Sequence, residues 1–305
     1  MTTTKKQVEM ELISDPGFET GFHLLGISPV IDKRNIYKWL DYGGLAKKSE
    51  RQIWHMSQWW TPYNVLYSSY TSNQQTYTYK TPSRTIQITP SKHQLYLELL
   101  GKEEYLGKNR KDMSQPWSHV LIEQDFEKSI SILNLSALHV NLEFSIDKFI
   151  DQTGSTYDPN IHAAQLLWYF VITDVGLDEG KYKGYGNSDN YFWFGVPLFD
   201  SRKEFFEESS MVDSGGVGTT GKLIYTMDSR QYLPVPLTHH INHHLHVDIL
   251  PHVKKAYQYA LDHGYLKTSD YSDFQIGYMN FGWELPGAFD VAATITNMSA
   301  KAILK

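Results

Sequence analysis

The sequence predicts an all-β protein, an antiparallel two-sheet β-sandwich of jelly-roll type with one outer α-helix. Three observations carry this expectation. Residues 138–146, LHVNLEFSI, alternate without a break: Leu138, Val140, Leu142, Phe144 and Ile146 are apolar, and His139, Asn141, Glu143 and Ser145 are polar. Residues 163–174 and 190–200, AAQLLWYFVITD and NYFWFGVPLFD, are apolar on both faces, as central strands of a two-layer core are. About ten to twelve strand-like segments follow one another without an internal repeat or a strand-helix-strand rhythm.

Taken in order, residues 1–50 read as irregular: a strand near residues 8–13, then Gly- and Pro-rich loops with strand fragments. Residues 53–60, IWHMSQWW, read as a strand with Trp54, Gln58 and Trp60 on one side and His55 and Trp59 on the other. A meander of short strands fills residues 77–100, and HVLIEQDF resumes the pattern at 119–126. One or two strands are expected within 130–150. The two doubly apolar runs come next, then the Gly-rich loop VDSGGVGTTG at 212–221 and the short strand LIYTM. A helix is expected from about residue 250, where Leu250, Val253, Tyr257, Ala260 and Leu261 recur at helical spacing, with Asp248 before it and Gly264 after it. The last strands are IGYMNFGWEL and FDVAATITN, ending at Asn297. One sandwich domain over 1–305, with an irregular segment 1–50, is the expected organisation.

Composition narrows the function classes. The formal net charge of −6 and the absence of a long basic run argue against nucleic acid as a partner. There is no cysteine, which removes disulfides and thiolate chemistry. No run of 18 apolar residues and no apolar leader is visible, so no membrane partner is expected. The compartment stays open between the cytosol and export with a leader removed, as does the oligomeric state. The 8 Trp and 21 Tyr are rings with a polar handle, suited to stacking on sugars and equally to building strands.

The segment IGYMNFGWEL divides its faces. Met279, Phe281, Trp283 and Leu285 read as core, and Tyr278, Asn280 and Glu284 as a polar wall, with Gly282 leaving room between them. Glycan hydrolysis needs two carboxylates across a groove with aromatic walls. Glu284 and Glu143 form the leading catalytic pair, with Glu123 in reserve. Trp54, Gln58, Trp59, Trp60, His139, Asn141, Tyr278, Asn280 and Arg202 are the candidate substrate contacts. Arg202 also reads as a structural partner of Asp200 at a strand end. LTHHINHHLH, with His239, His240, His243, His244 and His246, would put His240 and His244 on one face if helical, yet it lacks the zinc-protease acid, and neither a metal nor a cofactor is assigned. Serine-nucleophile and phosphate-loop motifs are absent.

Long aromatic strands, a Gly-Trp-Glu strand near the C-terminus and one outer helix together resemble the concanavalin A-like jelly-roll proteins that bind or cleave polysaccharides. The resemblance spans residues 50–300 and implies an oligo- or polysaccharide partner. The E-x-D-x-x-E strand that marks one large hydrolase group of that fold is missing, so no catalytic residue is carried over. Three readings follow: a glycoside hydrolase or polysaccharide lyase, a carbohydrate-binding module without chemistry, and a structural or assembly jelly roll.

Overall fold

Alternation along the chain becomes two sheets packed face to face. The computed structural model describes residues 8–26, 35–42, 53–126, 130–175, 190–214, 218–267 and 270–305. Among them the strands are β1 (Glu9–Glu11), β2 (Phe22–Leu25), β3 (Ile36–Leu40), β4 (Trp54–Ser57), β5 (Tyr70–Asn73), β6 (Thr76–Lys80), β7 (Arg84–Thr89) and β8 (Gln94–Leu100). A single helical turn, α1 (Gly101–Glu104), precedes β9 (Ser118–Asp125), β10 (Leu135–Asp151), β11 (Gln165–Asp174) and β12 (Tyr191–Asp200). Then come β13 (Ser209–Val212), β14 (Leu223–Thr226), β15 (His243–Asp248), helix α2 (Leu250–Asp262), β16 (Phe274–Leu285) and β17 (Phe289–Leu304).

The first sheet runs β15-β10-β17-β8-β7-β6-β5, with β1 added to β17; the second runs β13-β14-β12-β11-β16-β9-β4-β2-β3. Pairing is antiparallel except for β2 with β4 and β12 with β14. Period-two geometry sends alternate residues to opposite faces. Leu138, Val140, Leu142 and Phe144 of β10 therefore join Met279, Phe281, Trp283 and Leu285 of β16 in one core between the layers. Their strand neighbours His139, Asn141 and Glu143 on β10, and Asn280 and Glu284 on β16, face outward. This is the jelly-roll-type sandwich that the patterning predicts, and α2 packs outside it against β10 and β12. No helix of the described residues is long and apolar enough to cross a membrane.

Several local expectations are corrected. Within the N-terminal segment, the strand fragments expected among loops are β2 and β3, which join the second sheet beside β4, with β3 at its edge. The last strand does not stop at Asn297; that residue takes a left-handed conformation, φ 54°, at a register shift, and β17 continues to Leu304. The bulge breaks the alternation that pattern reading depends on. His243, His244 and His246 lie on strand β15, so His240 and His244 do not share a helical face. The expected strand at 53–60 ends at Ser57, and Gln58, Trp59 and Trp60 belong to the turn after it.

A buried ion pair ties the first sheet to the start of β9. Arg84 on β7 donates from Nε to Glu104 Oε1 at 2.7 Å and from Nη2 to Ser118 Oγ at 2.6 Å, and both charged side chains are wholly buried. Removing one partner leaves the other charge without compensation in a low-dielectric site. Glu104→Ala is expected to cost about 3–5 kcal/mol of stability in a denaturant titration, and a loss under about 1 kcal/mol would show that the pair does not anchor β9.

Candidate active site

The outward face of the second sheet carries a groove of about 330 Å³. Register lays side chains across its floor in rows. One row is His119 on β9, Glu284 on β16, Gln165 on β11 and Asp200 on β12, each opposite the next. Two residues along lie Leu121, Gly282 and Leu167, and after them Glu123, Asn280, Tyr169 and Gly195. Gly282 leaves the middle of the floor bare for a backbone reason: at φ 153° a Cβ there would stand 2.1 Å from the Val120 carbonyl oxygen of β9. Gly195 has the same bareness, and the Tyr169 ring occupies the space, 2.9 Å from where a Cβ would be. Trp59, Trp60, Trp117 and Trp193 supply aromatic walls.

Glu284 is the best-defined acid of the groove. Its side chain is 20% exposed, enough to be reached from the cavity. Oε2 accepts the Trp117 indole N–H at 3.1 Å and stands 3.5 Å from His119 Nε2. His119 is held on its other side, Nδ1 to the Trp117 carbonyl oxygen at 2.8 Å. A carbonyl only accepts, so Nδ1 carries a hydrogen and Nε2 faces the carboxylate. Burial pushes the Glu284 carboxyl up, but the hydrogen bond and charge of His119, with the Trp117 N–H, outweigh it and hold the group below the usual carboxylate value. Glu284 is therefore ionised at neutral pH.

The surroundings lock this dyad. The His119 ring lies between Trp59, at 5.6 Å, and Trp117, at 5.4 Å, and its backbone N–H donates to the Trp59 carbonyl at 3.0 Å. The Arg110 guanidinium lies over the Trp117 ring at 4.9 Å, and its three nitrogens donate to the carbonyls of Met113, Gln115 and Ile161. Beyond Gln165, Asp200 receives Arg202 through Nε at 2.9 Å and Nη2 at 2.6 Å, and the Gln165 amide at 2.8 Å. Asp213, on the far wall, accepts the Thr220 N–H and hydroxyl, each at 2.6 Å. Burial, then the charges of Glu284, Asp213 and Asp200, push the Tyr169 hydroxyl far above its ordinary value, so it remains a donor.

The candidates named from the sequence divide sharply. Glu284, Asn280, Trp59, Trp60 and Arg202 line the groove. Glu143, His139 and Asn141 do not: they sit on the outer face of the first sheet, where the amides of Asn242 and Asn297 donate to Glu143 and Asn141 Oδ1 accepts from His244 Nε2 at 2.7 Å. Glu284 and Glu143 thus occupy opposite layers and are not a pair. Glu123 is on the groove side but buried at 1% exposure, where it accepts the Ser57 hydroxyl. It sits opposite Asn280, four residues along β16 from Glu284, or about 13 Å. Trp54 is core, its indole donating to the Asp15 carbonyl at 2.8 Å; Gln58 is buried and accepts the Val65 N–H at 2.8 Å. Tyr278 is buried on the outward face of the second sheet, in a cluster with Val171, Tyr191 and Trp193. Of the Gly-rich run, residues 215–217 lie outside the described residues, while Asp213, Ser214, Gly218, Thr219 and Thr220 line the groove.

Sequence reading missed Trp117, Gln165, Tyr169, Trp193 and Asp213. Gln165 and Tyr169 do alternate with core residues along β11, but Leu167 and Val171 lie on the same face and hide the polar stripe.

No family model matches the sequence. No curated protein matches it either. Similar solved structures include a cellulase derived from the Cel12A cellulase of Rhodothermus marinus, 7% identical with a TM-score of 0.42, the match covering 82% of this chain and 99% of that one. Endoglucanase 3 of Trichoderma harzianum, from family GH12, is 9% identical with a TM-score of 0.35, covering 84% of this chain and 100% of that one. The xyloglucanase domain of NopAA from Sinorhizobium fredii, solved with cellobiose, is 10% identical with a TM-score of 0.34, covering 80% and 98%.

A carboxyl whose folded pKa lies below its unfolded value of about 4.3 stabilises the fold above that pH, and the contribution is lost as pH falls through the folded value. Trp117→Phe removes one donor to Glu284 and is expected to raise its pKa toward the ordinary value, read by carboxyl ¹³C NMR titration. An unchanged pKa would remove the indole from the account.

Proposed function

We propose that the groove binds an uncharged oligo- or polysaccharide and that Glu284 with His119 acts on the bound chain as an acid–base pair, making the protein a glycoside hydrolase. The observation that carries the reading is the row His119, Glu284, Gln165 and Asp200 on the floor of an aromatic-walled groove. Indole faces stack on the apolar faces of sugar rings, while amide, hydroxyl and carboxylate groups take the ring hydroxyls.

Charge favours a neutral glycan. Each guanidinium nitrogen of Arg110 and Arg202, which line the groove, donates to an oxygen of the chain, and Glu284 and Asp213 line the same surface. Among the described residues lining the groove, a uronate carboxylate would meet negative charge without a cation left unbonded. That also favours hydrolysis over a lyase reaction, which needs its substrate's carboxylate neutralised. Glu284, ionised beside His119, can take a proton from a water attacking the glycosidic carbon.

A second reading, binding without cleavage, is favoured by one position. The strand neighbour of Glu284 is an amide, Gln165, where a second carboxylate would stand at about the 5 to 5.5 Å separation that a retaining pair requires. The two readings separate in one experiment with neutral glucans, mannans and xyloglucans set against polyuronates. Glu284→Gln is expected to keep neutral-glycan binding by calorimetry and to lose at least about 100-fold in product release. Full activity in that variant would remove the hydrolytic role, binding with no products from the wild type would establish the second reading, and preference for polyuronates would overturn both.

A further inference from the structure

A second cavity, of about 380 Å³, lies where the end of β12 meets the chain that crosses from β14 to β15. The volume is within the range of small-molecule pockets, about 300 to 1,000 Å³. Its inner wall is aromatic: Phe149, Phe199 and His239 meet edge to face, with ring centroids 5.3, 5.8 and 6.0 Å apart. Its outer wall is the run LPVPL at 233–237. Pro234 and Pro236 fix the backbone there, so Leu233, Val235 and Leu237 hold their places without a ligand to order them. Val235 stands 62% exposed at the rim, an apolar side chain kept at a mouth rather than in the core.

The charges at this mouth cancel. Asp200 is bound by Arg202 through two hydrogen bonds, and Lys203 is followed by Glu204. Burial, and secondarily the charge of His240, hold the His239 imidazole below its ordinary value, so it is neutral at pH 7. Among the described residues nothing forms a hydrogen bond with its ring nitrogens, which leaves the imidazole as a polar group on an otherwise apolar wall. Rings prefer edge-to-face partners, so the aromatic inner wall favours a flat aromatic body. With no unbalanced charge, neither an anion nor a cation is recognised.

We propose that this cavity binds a small uncharged aromatic ligand carrying a hydroxyl group that pairs with His239. The cavity adjoins the groove at Asp200 and Arg202, and its assignment does not rest on the reading given for the groove. Calorimetric titration of the full chain with 2-naphthol at pH 7 is expected to show saturable binding at one site per chain. The sulfonate analogue, 2-naphthalenesulfonate, is expected to bind at least about tenfold more weakly. Leu237→Trp, which fills the cavity, and His239→Phe, which keeps the ring contacts and removes the hydrogen bond, are each expected to weaken 2-naphthol binding about tenfold, with melting temperatures reporting that both variants fold. Naphthol binding by Trp60→Ala, in the groove, is expected to match the wild type. Absence of saturable binding, wild-type affinity in folded His239→Phe, loss in Trp60→Ala, or equal affinity for the sulfonate would each overturn the assignment.

Discussion

The shared register of β9, β16, β11 and β12 is the constraint on which the rest depends. Because side chains alternate strictly, that register decides at once which residues build the core and which floor the groove. Phe281 and Trp283 go inward, and Asn280 and Glu284 go outward, only while His119 stands opposite Glu284 and Gln165 opposite it on the other side. A slip of one residue would bury the carboxylate and expose two large rings. Core formation and site formation are therefore one event, and the apolar face enforces the alignment of the polar one.

Around that register the chain adds devices that hold His119 and Trp117 still. Arg84 and Glu104 grip Ser118 from the first sheet, the Trp59 carbonyl takes the His119 N–H, and Arg110 backs the Trp117 ring. Each acts on the few residues that open β9, where a strand end would otherwise fray. The consequence is electrostatic as well as mechanical: a carboxylate stays charged in a partly buried place because an indole and an imidazole are kept within reach of it.

Much of the architecture was legible in the sequence. The unbroken alternation of β10, the divided faces of β16, the doubly apolar β11 and β12 and the helical spacing of α2 are each properties of one continuous segment, and local pattern reading captures those. The site was legible only in part. Glu143 and Glu284 have the same one-strand signature, a carboxylate on the polar side of an amphipathic strand, yet the strands pair into different sheets. Nothing within either segment encodes which layer it joins. His119, Gln165 and Asp200 come beside Glu284 from far along the chain, through partner choice that depends on the summed packing of both layers. Trp54 shows the opposite error: an indole that reads as a sugar platform is core, because the strand ends two residues before the turn that carries Trp59 and Trp60.

The bare centre of the groove floor limits how this surface can diversify. Position 282 must do without a side chain for the sake of the neighbouring backbone, so no substitution there can retune selectivity without dismantling the sheet. Variation in what the groove accepts has to enter from the flanks, through Leu121 and Leu167 or the indole walls. Relatives with altered preferences would then keep an identical hollow and differ only around its margin.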